Sequence, residues 1–321
     1  MFPSWGFRHP CDFIADVSSA PPMMTKRLFL CLLLLVGRFA LADEAVSKSS
    51  TPLVKGQRLF AAHHSYFLAI PPILSEIAAA GGYPDQVIVG TKYIGGSKAL
   101  YHWNVKDEDN KAKESLKAGA VDVLILTPVY LPDEGIEKFA RLGVEHNPDV
   151  RVTVQEFWLP YDEYQPHYYD PPSIPKPTQV DHNAQTGESL HAMHERYFQE
   201  MDALIRGLNK DLGKQVVYVV PAGQAVIALR EKIIAGTAPG LKTQNDLFTD
   251  MLGHPKLPLQ VLISYLHYAV IYRKSPVGLP IPEALKKVKR EPAEMEALNR
   301  LLQEVAWDAV IHHPLSGVKA S

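Results

Sequence analysis

Cysteine is almost missing from this chain. Two occur in 321 residues, Cys11 and Cys31, both ahead of residue 42. The remainder has no thiol, which excludes disulfides, cysteine nucleophiles and thiolate metal sites there. An excess of one charge is missing too. The 33 basic and 35 acidic side chains leave a formal charge of −2, without the basic surplus that marks a nucleic-acid surface. No apolar run approaches the ~20 residues of a bilayer span; the stretch from Leu28 to Val36 is stopped by Arg38. A phosphate loop is absent, because "GGSKAL" lacks the G-x-x-x-x-G-K-[ST] spacing, and so is an HExxH pair. No fixed-period repeat points to a solenoid. No cofactor and no nucleic-acid partner are expected.

The N-terminal stretch "MTKRLFLCLLLLVGRFALADEAV" reads in the order of a secretory signal: Lys26 and Arg27, an apolar segment, then Ala40-Leu41-Ala42. Cleavage is expected after Ala42, with translation starting at Met23 or Met24. The expected organisation is a signal over 1–42, a polar tether over 43–55 and one domain over 56–321. The mature protein would be secreted or periplasmic, with no stable membrane span. An uncleaved anchor is the alternative.

From residue 57 onward, β-rich runs alternate with helical ones. Gln57–Ala62 reads as a strand, and Ile70–Ala80 as a helix with Ile73, Leu74, Ile77 and Ala78 on one face. "DQVIVGTKYIGG", "VDVLILT", "DVRVTVQEFW" and "KQVVYVVP" are four more strands. "VDVLILT" is apolar throughout, as a strand buried on both faces must be. This alternation predicts an α/β fold with a parallel sheet of about five strands covered on both sides. A Pro- and Tyr-rich loop over 159–187 interrupts it, long enough to suggest a binding loop. A long amphipathic helix follows that loop, and another occupies 291–311.

In an open parallel sheet, ligands bind beyond the carboxyl ends of the strands. His63, His64 and Ser65 follow the first strand, Gly95-Gly96-Ser97 the second and Thr127-Pro128 the third. Asp250 and His254 precede the apolar run "LPLQVLISYLHYAVIY". A serine hydroxyl needs a histidine to take its proton. That histidine needs a carboxylate to fix its tautomer, and the oxyanion needs backbone N–H donors. Ser65, His254 and Asp250 fill the first three roles, and the Ser65 N–H with the open backbone at Gly95-Gly96 the fourth. Ser65 has a second reading, as N-cap of the helix near Ile70. His63 or His64 could compete with His254 as the base.

These blocks resemble the SGNH (GDSL-type) hydrolases over roughly residues 56–282. The Gly-x-Ser of that family is matched by His63-His64-Ser65, its glycine donor by Gly96 in "YIGGSKALYHW", and its Asp–His pair by Asp250 and His254 in "LFTDMLGHP". The resemblance implies a three-layer, flavodoxin-like α/β/α fold and an exported serine esterase. Three residues separate Asp250 from His254 where the family usually has two. "TPVYLPDEG" supplies no Asn to the oxyanion hole, leaving Thr127 as the nearest hydroxyl. Substrate contacts are expected from His64, Trp103, Tyr130, Tyr161 and Tyr164, with Tyr168 and Tyr169 as further stacking faces. The expected substrate is an acyl ester, of a carbohydrate or a small molecule. Two other readings stand beside this one. The chain could be a non-catalytic glycan-binding module of the same fold. Alternatively, it could be a metallohydrolase using histidines such as His191 and His194, which share one helical face. His312 and His313 read as a solvated terminus.

Overall fold

A computed structural model describes residues 51–165 and 179–319. The expected export signal, most of the tether, and Tyr168 and Tyr169 lie outside the described residues.

Five parallel strands form one sheet: β1 (Arg58–His63), β2 (Val87–Tyr93), β3 (Val123–Leu126), β4 (Arg151–Gln155) and β5 (Val217–Val220), in the order β2-β1-β3-β4-β5. That order is the flavodoxin-like one; the alternating sequence predicts the parallel sheet, and the SGNH resemblance implies its flavodoxin-like form. The strands in the middle are apolar because both faces are covered: all of β3 is buried, and β1 is buried after Arg58. β2 is an edge strand, and Val87, Val89 and Tyr93 are exposed on it. The opposite edge, β5, is closed by the C-terminal segment, where the Val219 N–H donates to the Leu315 carbonyl. Covering an edge in this way removes a template for unwanted pairing.

The helices are α1 (Ile70–Ala80), α2 (Ala99–Trp103), α3 (Lys111–Lys117), α4 (Glu134–His146), α5 (Gly187–Asp211), α6 (Ala222–Ile234), α7 (Leu257–Tyr272), α8 (Glu283–Lys286) and α9 (Pro292–His312). One layer contains α7 packed between α1 and α9; another contains α4 against α2 and α3. α7 is buried almost all round, so its sequence has no polar face and no helical period to read. The short helix α2 carries no signal of its own length and was not expected. Its position is set by Asp133, which caps α4 and also accepts the N–H groups of Ala99 and Leu100. His313, expected in a solvated terminus, is buried beside Glu156 and Asp202.

Candidate active site

The strand order reverses at β1, so the crevice between the carboxyl ends of β1 and β3 is the topological switch point. The chain leaves β1 at His63, passes through an extended His64 (φ −104°, ψ −170°), and turns into a short 3-10 helix over Ser65–Phe67. Two bonds fix that turn. The His64 N–H donates to Thr127 Oγ1 at the end of β3 (3.1 Å), and the Tyr66 N–H donates to His64 Nδ1 (3.2 Å). An imidazole can accept there only when Nδ1 is unprotonated. Burial, reinforced by His63, His102 and His254, pushes the His64 pKa down to about 3, so the ring stays neutral. His64 is therefore the cap of the turn that presents Ser65. Helix α1 is capped instead at Ala69, without any side-chain bond, so the Ser65 hydroxyl is not spent on a helix end.

That hydroxyl faces His254. Ser65 Oγ lies 2.8 Å from His254 Nε2, and His254 Nδ1 lies 2.6 Å from Asp250 Oδ2. The other carboxylate oxygen accepts the N–H groups of Gly253 (3.0 Å) and His254 (3.2 Å). Burial works against the charged form of Asp250. The bond from His254, the two amides and the nearby imidazole outweigh it, and the carboxyl is held below the usual carboxylate range.

The separation of 189 residues between Ser65 and His254 is closed by a clamped turn. Residues 248 and 255 form an antiparallel bridge, the Thr249 N–H donates to the His254 carbonyl (2.8 Å), and Gly253 doubles the chain back at φ +98°. This left-handed glycine lets Asp250 and His254 meet although three residues lie between them. The outward carbonyls of the turn are held from three directions. Tyr66 Oη and the Tyr161 N–H both donate to Leu252, Trp158 Nε1 donates to Gly253 (2.9 Å), and His182 Nε2 meets the Asp250 carbonyl (3.1 Å). Tyr66 also stacks on Trp158 (4.5 Å) and meets the His254 ring edge-on (5.3 Å). The residue next to the serine thus grips the turn that carries the histidine.

The competing bases are placed elsewhere. His63 is buried with Nδ1 3.0 Å from the His64 carbonyl, and its ring packs on Phe67 and Tyr93. Gly96 has φ +56° in the loop after β2. Among the described residues, neither its N–H nor that of Ser65 has a protein acceptor. Of the aromatic residues expected to contact substrate, Tyr161 is half-buried against the turn that carries Asp250 and His254. Tyr130 is buried with its hydroxyl donating to the Glu163 carbonyl (3.1 Å), and Tyr164 bonds Glu200 beneath Arg196. Trp103 lies on the α3–α4 side, against Phe139 and under the Lys113 ammonium. The helical histidine pair is engaged within the fold. His191 faces Glu231 (3.0 Å), while His194 accepts the Leu159 N–H and faces the Leu190 carbonyl.

Sequence reasoning missed the buried trio behind the turn: Asp162, His182 and Arg230. Asp162 sits at φ +51° beside Tyr161 at φ +58°, conformations uncommon for residues other than glycine. Its carboxylate is clasped by Arg230 (2.6 and 2.8 Å) and by His182 Nδ1 (2.9 Å).

No family model matches the chain, and no curated protein does. Among solved structures it is similar to a DUF4886 family protein from Bacteroides uniformis. The two are 11% identical, with a TM-score of 0.50 over 81% of this chain and 96% of that one. It is also similar to a candidate GDSL-like lipase from Parabacteroides merdae, at 11% identity and a TM-score of 0.40, covering 67% of this chain and 96% of that one. At such identities the first likeness speaks for the fold alone. Among the described residues, no helix is long and apolar enough to cross a membrane.

Proposed function

We propose that this chain is an exported serine ester hydrolase of SGNH type, acting on acyl esters and in particular on acylated carbohydrates. The observation that carries the reading is the continuous relay Ser65 Oγ–His254 Nε2–His254 Nδ1–Asp250 Oδ2, at 2.8 and 2.6 Å. Asp250 holds a hydrogen on Nδ1, which leaves Nε2 free to accept the serine proton. Ser65 Oγ attacks the ester carbonyl as that proton moves to His254. The tetrahedral oxyanion is met by the N–H groups of Ser65 and Gly96. His254 then returns the proton to the departing alcohol, leaving an acyl-Ser65 ester. Water, activated by the same imidazole, releases the acid and restores the serine. Tyr161 and Tyr164 at the start of the 159–187 loop, with Tyr130, are assigned to shaping the pocket and His64 to supporting Ser65, while Trp103, expected at the substrate, packs on Phe139 instead. Secretion or periplasmic delivery rests on the order of residues 24–42.

The test compares wild type with Ser65→Ala on p-nitrophenyl acetate, together with labelling by a fluorophosphonate. Wild type is expected to hydrolyse the ester and to take the label at Ser65, and the variant to do neither. An inert, unlabelled wild type would leave the fold as a binding module.

A further inference from the structure

Every donor and acceptor around His182 points to one arrangement. Nδ1 faces the Asp162 carboxylate at 2.9 Å, and Nε2 faces the Asp250 carbonyl at 3.1 Å. Both partners only accept, so the ring is placed to meet each of them as a donor. The ring is buried (3% exposed) and packs on Phe248 at 4.3 Å. Behind it, Arg230 donates to both oxygens of Asp162, to the His182 carbonyl (3.0 Å) and to Gln244 Oε1 (2.6 Å). Burial disfavours the charged form of Asp162, but the bonds from His182 and Arg230 prevail and hold its carboxyl below the usual range. The cluster thus sets a guanidinium and an imidazole around one carboxylate, with Arg230 fixed on α6 as the anchor.

A cluster built only to stabilise the fold would be complete at the Arg230–Asp162 pair. His182 adds a link from that pair to the main chain of Asp250, the residue that orients the general base. Asp250 is held from two sides: its side chain accepts from the turn amides, and its carbonyl is held by the imidazole and by the shared Gly253 N–H, each at 3.1 Å. Without the imidazole the carbonyl keeps only the Gly253 N–H, which it shares with Oδ1, and the loosened Asp250 peptide lets Oδ2 shift from His254 Nδ1. Displacements of about 1 Å at a reacting group can lower a rate about 100-fold.

We propose that His182 is a positioning residue for the catalytic turn: anchored by Asp162 and Arg230, it holds the Asp250 peptide so that the carboxylate stays on His254. As a statement about rate, this rests on the hydrolase reading above; as a statement about the Asp250–His254 hydrogen bond, it does not.

Two near-isosteric variants separate positioning from stability. In His182→Asn the amide nitrogen takes the place of Nδ1, keeping the bond to Asp162 and losing the one to Asp250. In His182→Gln the amide nitrogen reaches the place of Nε2, keeping Asp250 and losing Asp162. Positioning predicts that His182→Asn loses about 10- to 100-fold in kcat with KM nearly unchanged, while His182→Gln stays within about fivefold of wild type. Thermal stability should run the other way, because His182→Gln leaves a buried carboxylate short of a donor. The downfield Nδ1 proton resonance of His254 should persist in His182→Gln and shift or vanish in His182→Asn. If kcat and the resonance follow melting temperature, with Asn the better replacement, the proposal is overturned. It is equally overturned if both variants keep the wild-type resonance. Should wild type cleave no ester while the resonance follows the predicted order, the hydrolase reading falls and the positioning role stands.

Discussion

Replacing Asp250 by Asn tests the relay with almost no change of shape. The carboxylate has two distinct jobs: Oδ1 accepts the N–H groups of Gly253 and His254, and Oδ2 accepts from His254 Nδ1. An amide has one oxygen and one NH2 group. Turning its NH2 toward the backbone would set donors against two N–H groups, so the turn keeps the oxygen there and directs the NH2 at Nδ1. Nδ1 must then accept, and the ring hydrogen moves to Nε2. In that tautomer Nε2 cannot take the proton of Ser65. The expected loss is about 10⁴ in kcat, the scale for a triad left in the wrong tautomer. Stability should hardly change. The Asp250 side chain is 45% exposed, and a polar pair so open to solvent contributes at most about 1 kcal/mol. Steady-state kinetics on p-nitrophenyl acetate and a thermal melt, run on the same preparation, decide the matter. An Asp250→Asn enzyme within about tenfold of wild-type kcat would refute the assigned role of the carboxylate.

Gly253→Ala puts a side chain at φ +98° with its Cβ 3.2 Å from Tyr66 Oη. It should lower stability by about 1–3 kcal/mol and kcat by up to about 100-fold; an unchanged kcat would show that the turn does not need its left-handed residue. A second expectation concerns acid. Burial is the chief cause that pushes His64 and His267 down to about 3, and His102 and His194 down to about 4. Each folded pKa lies below the unfolded value of 6.5, so the unfolded chain gains protons that the folded one refuses. Their full stabilisation is present above about pH 6.5 and declines as pH falls, by about 1.4 kcal/mol per unit for each ring. Asp133, pushed up to about 6 by burial against its amide donors, acts in the opposite sense over part of that range. Urea midpoints at pH 7 and pH 5 should therefore differ steeply; equal midpoints would contradict the neutral buried histidines.

Parts of this arrangement could be read from the residues alone, and parts could not. β1, β3 and α1 announce themselves because their burial is local: a strand covered on both faces must be apolar, and a helix lying on a sheet must carry a stripe. That Ser65, Asp250 and His254 would meet was legible, because acyl chemistry needs those residue types at the ends of elements. The role of His64 as a cap was not, since nothing in "AAHHSYF" says which imidazole nitrogen will meet which amide. The trio behind the turn was hidden for another reason. Its members lie 20, 48 and 68 residues apart, and only tertiary packing brings them together. One signal was available: Arg230 falls four residues after Val226, on the buried stripe of α6. A guanidinium on an apolar stripe needs an acidic partner, and that partner proved to be Asp162.

The two departures from the SGNH pattern have different physical weight. The extra residue between Asp250 and His254 is absorbed by one left-handed glycine, because only the positions of the two side chains matter to the relay. The missing Asn is a change of chemistry, since it removes a donor that would strengthen as charge develops on the carbonyl oxygen. Thr127 stands at the end of β3, where that Asn is expected, and its oxygen already accepts the His64 N–H. That bond ties the end of β3 to the turn bearing Ser65, and it leaves the hydroxyl hydrogen uncommitted by any described partner. The loss therefore falls on oxyanion stabilisation rather than on proton transfer. The turn carrying Asp250 and His254 is held by Tyr66, Trp158 and His182, so in the proposed reaction base and carboxylate are set before substrate arrives. An enzyme of this construction should retain a nucleophilic serine and a normal acid–base relay while favouring esters whose leaving groups need little help. Activated acyl groups should accordingly react far better than amides, and the serine should label with fluorophosphonate even where natural esters turn over slowly.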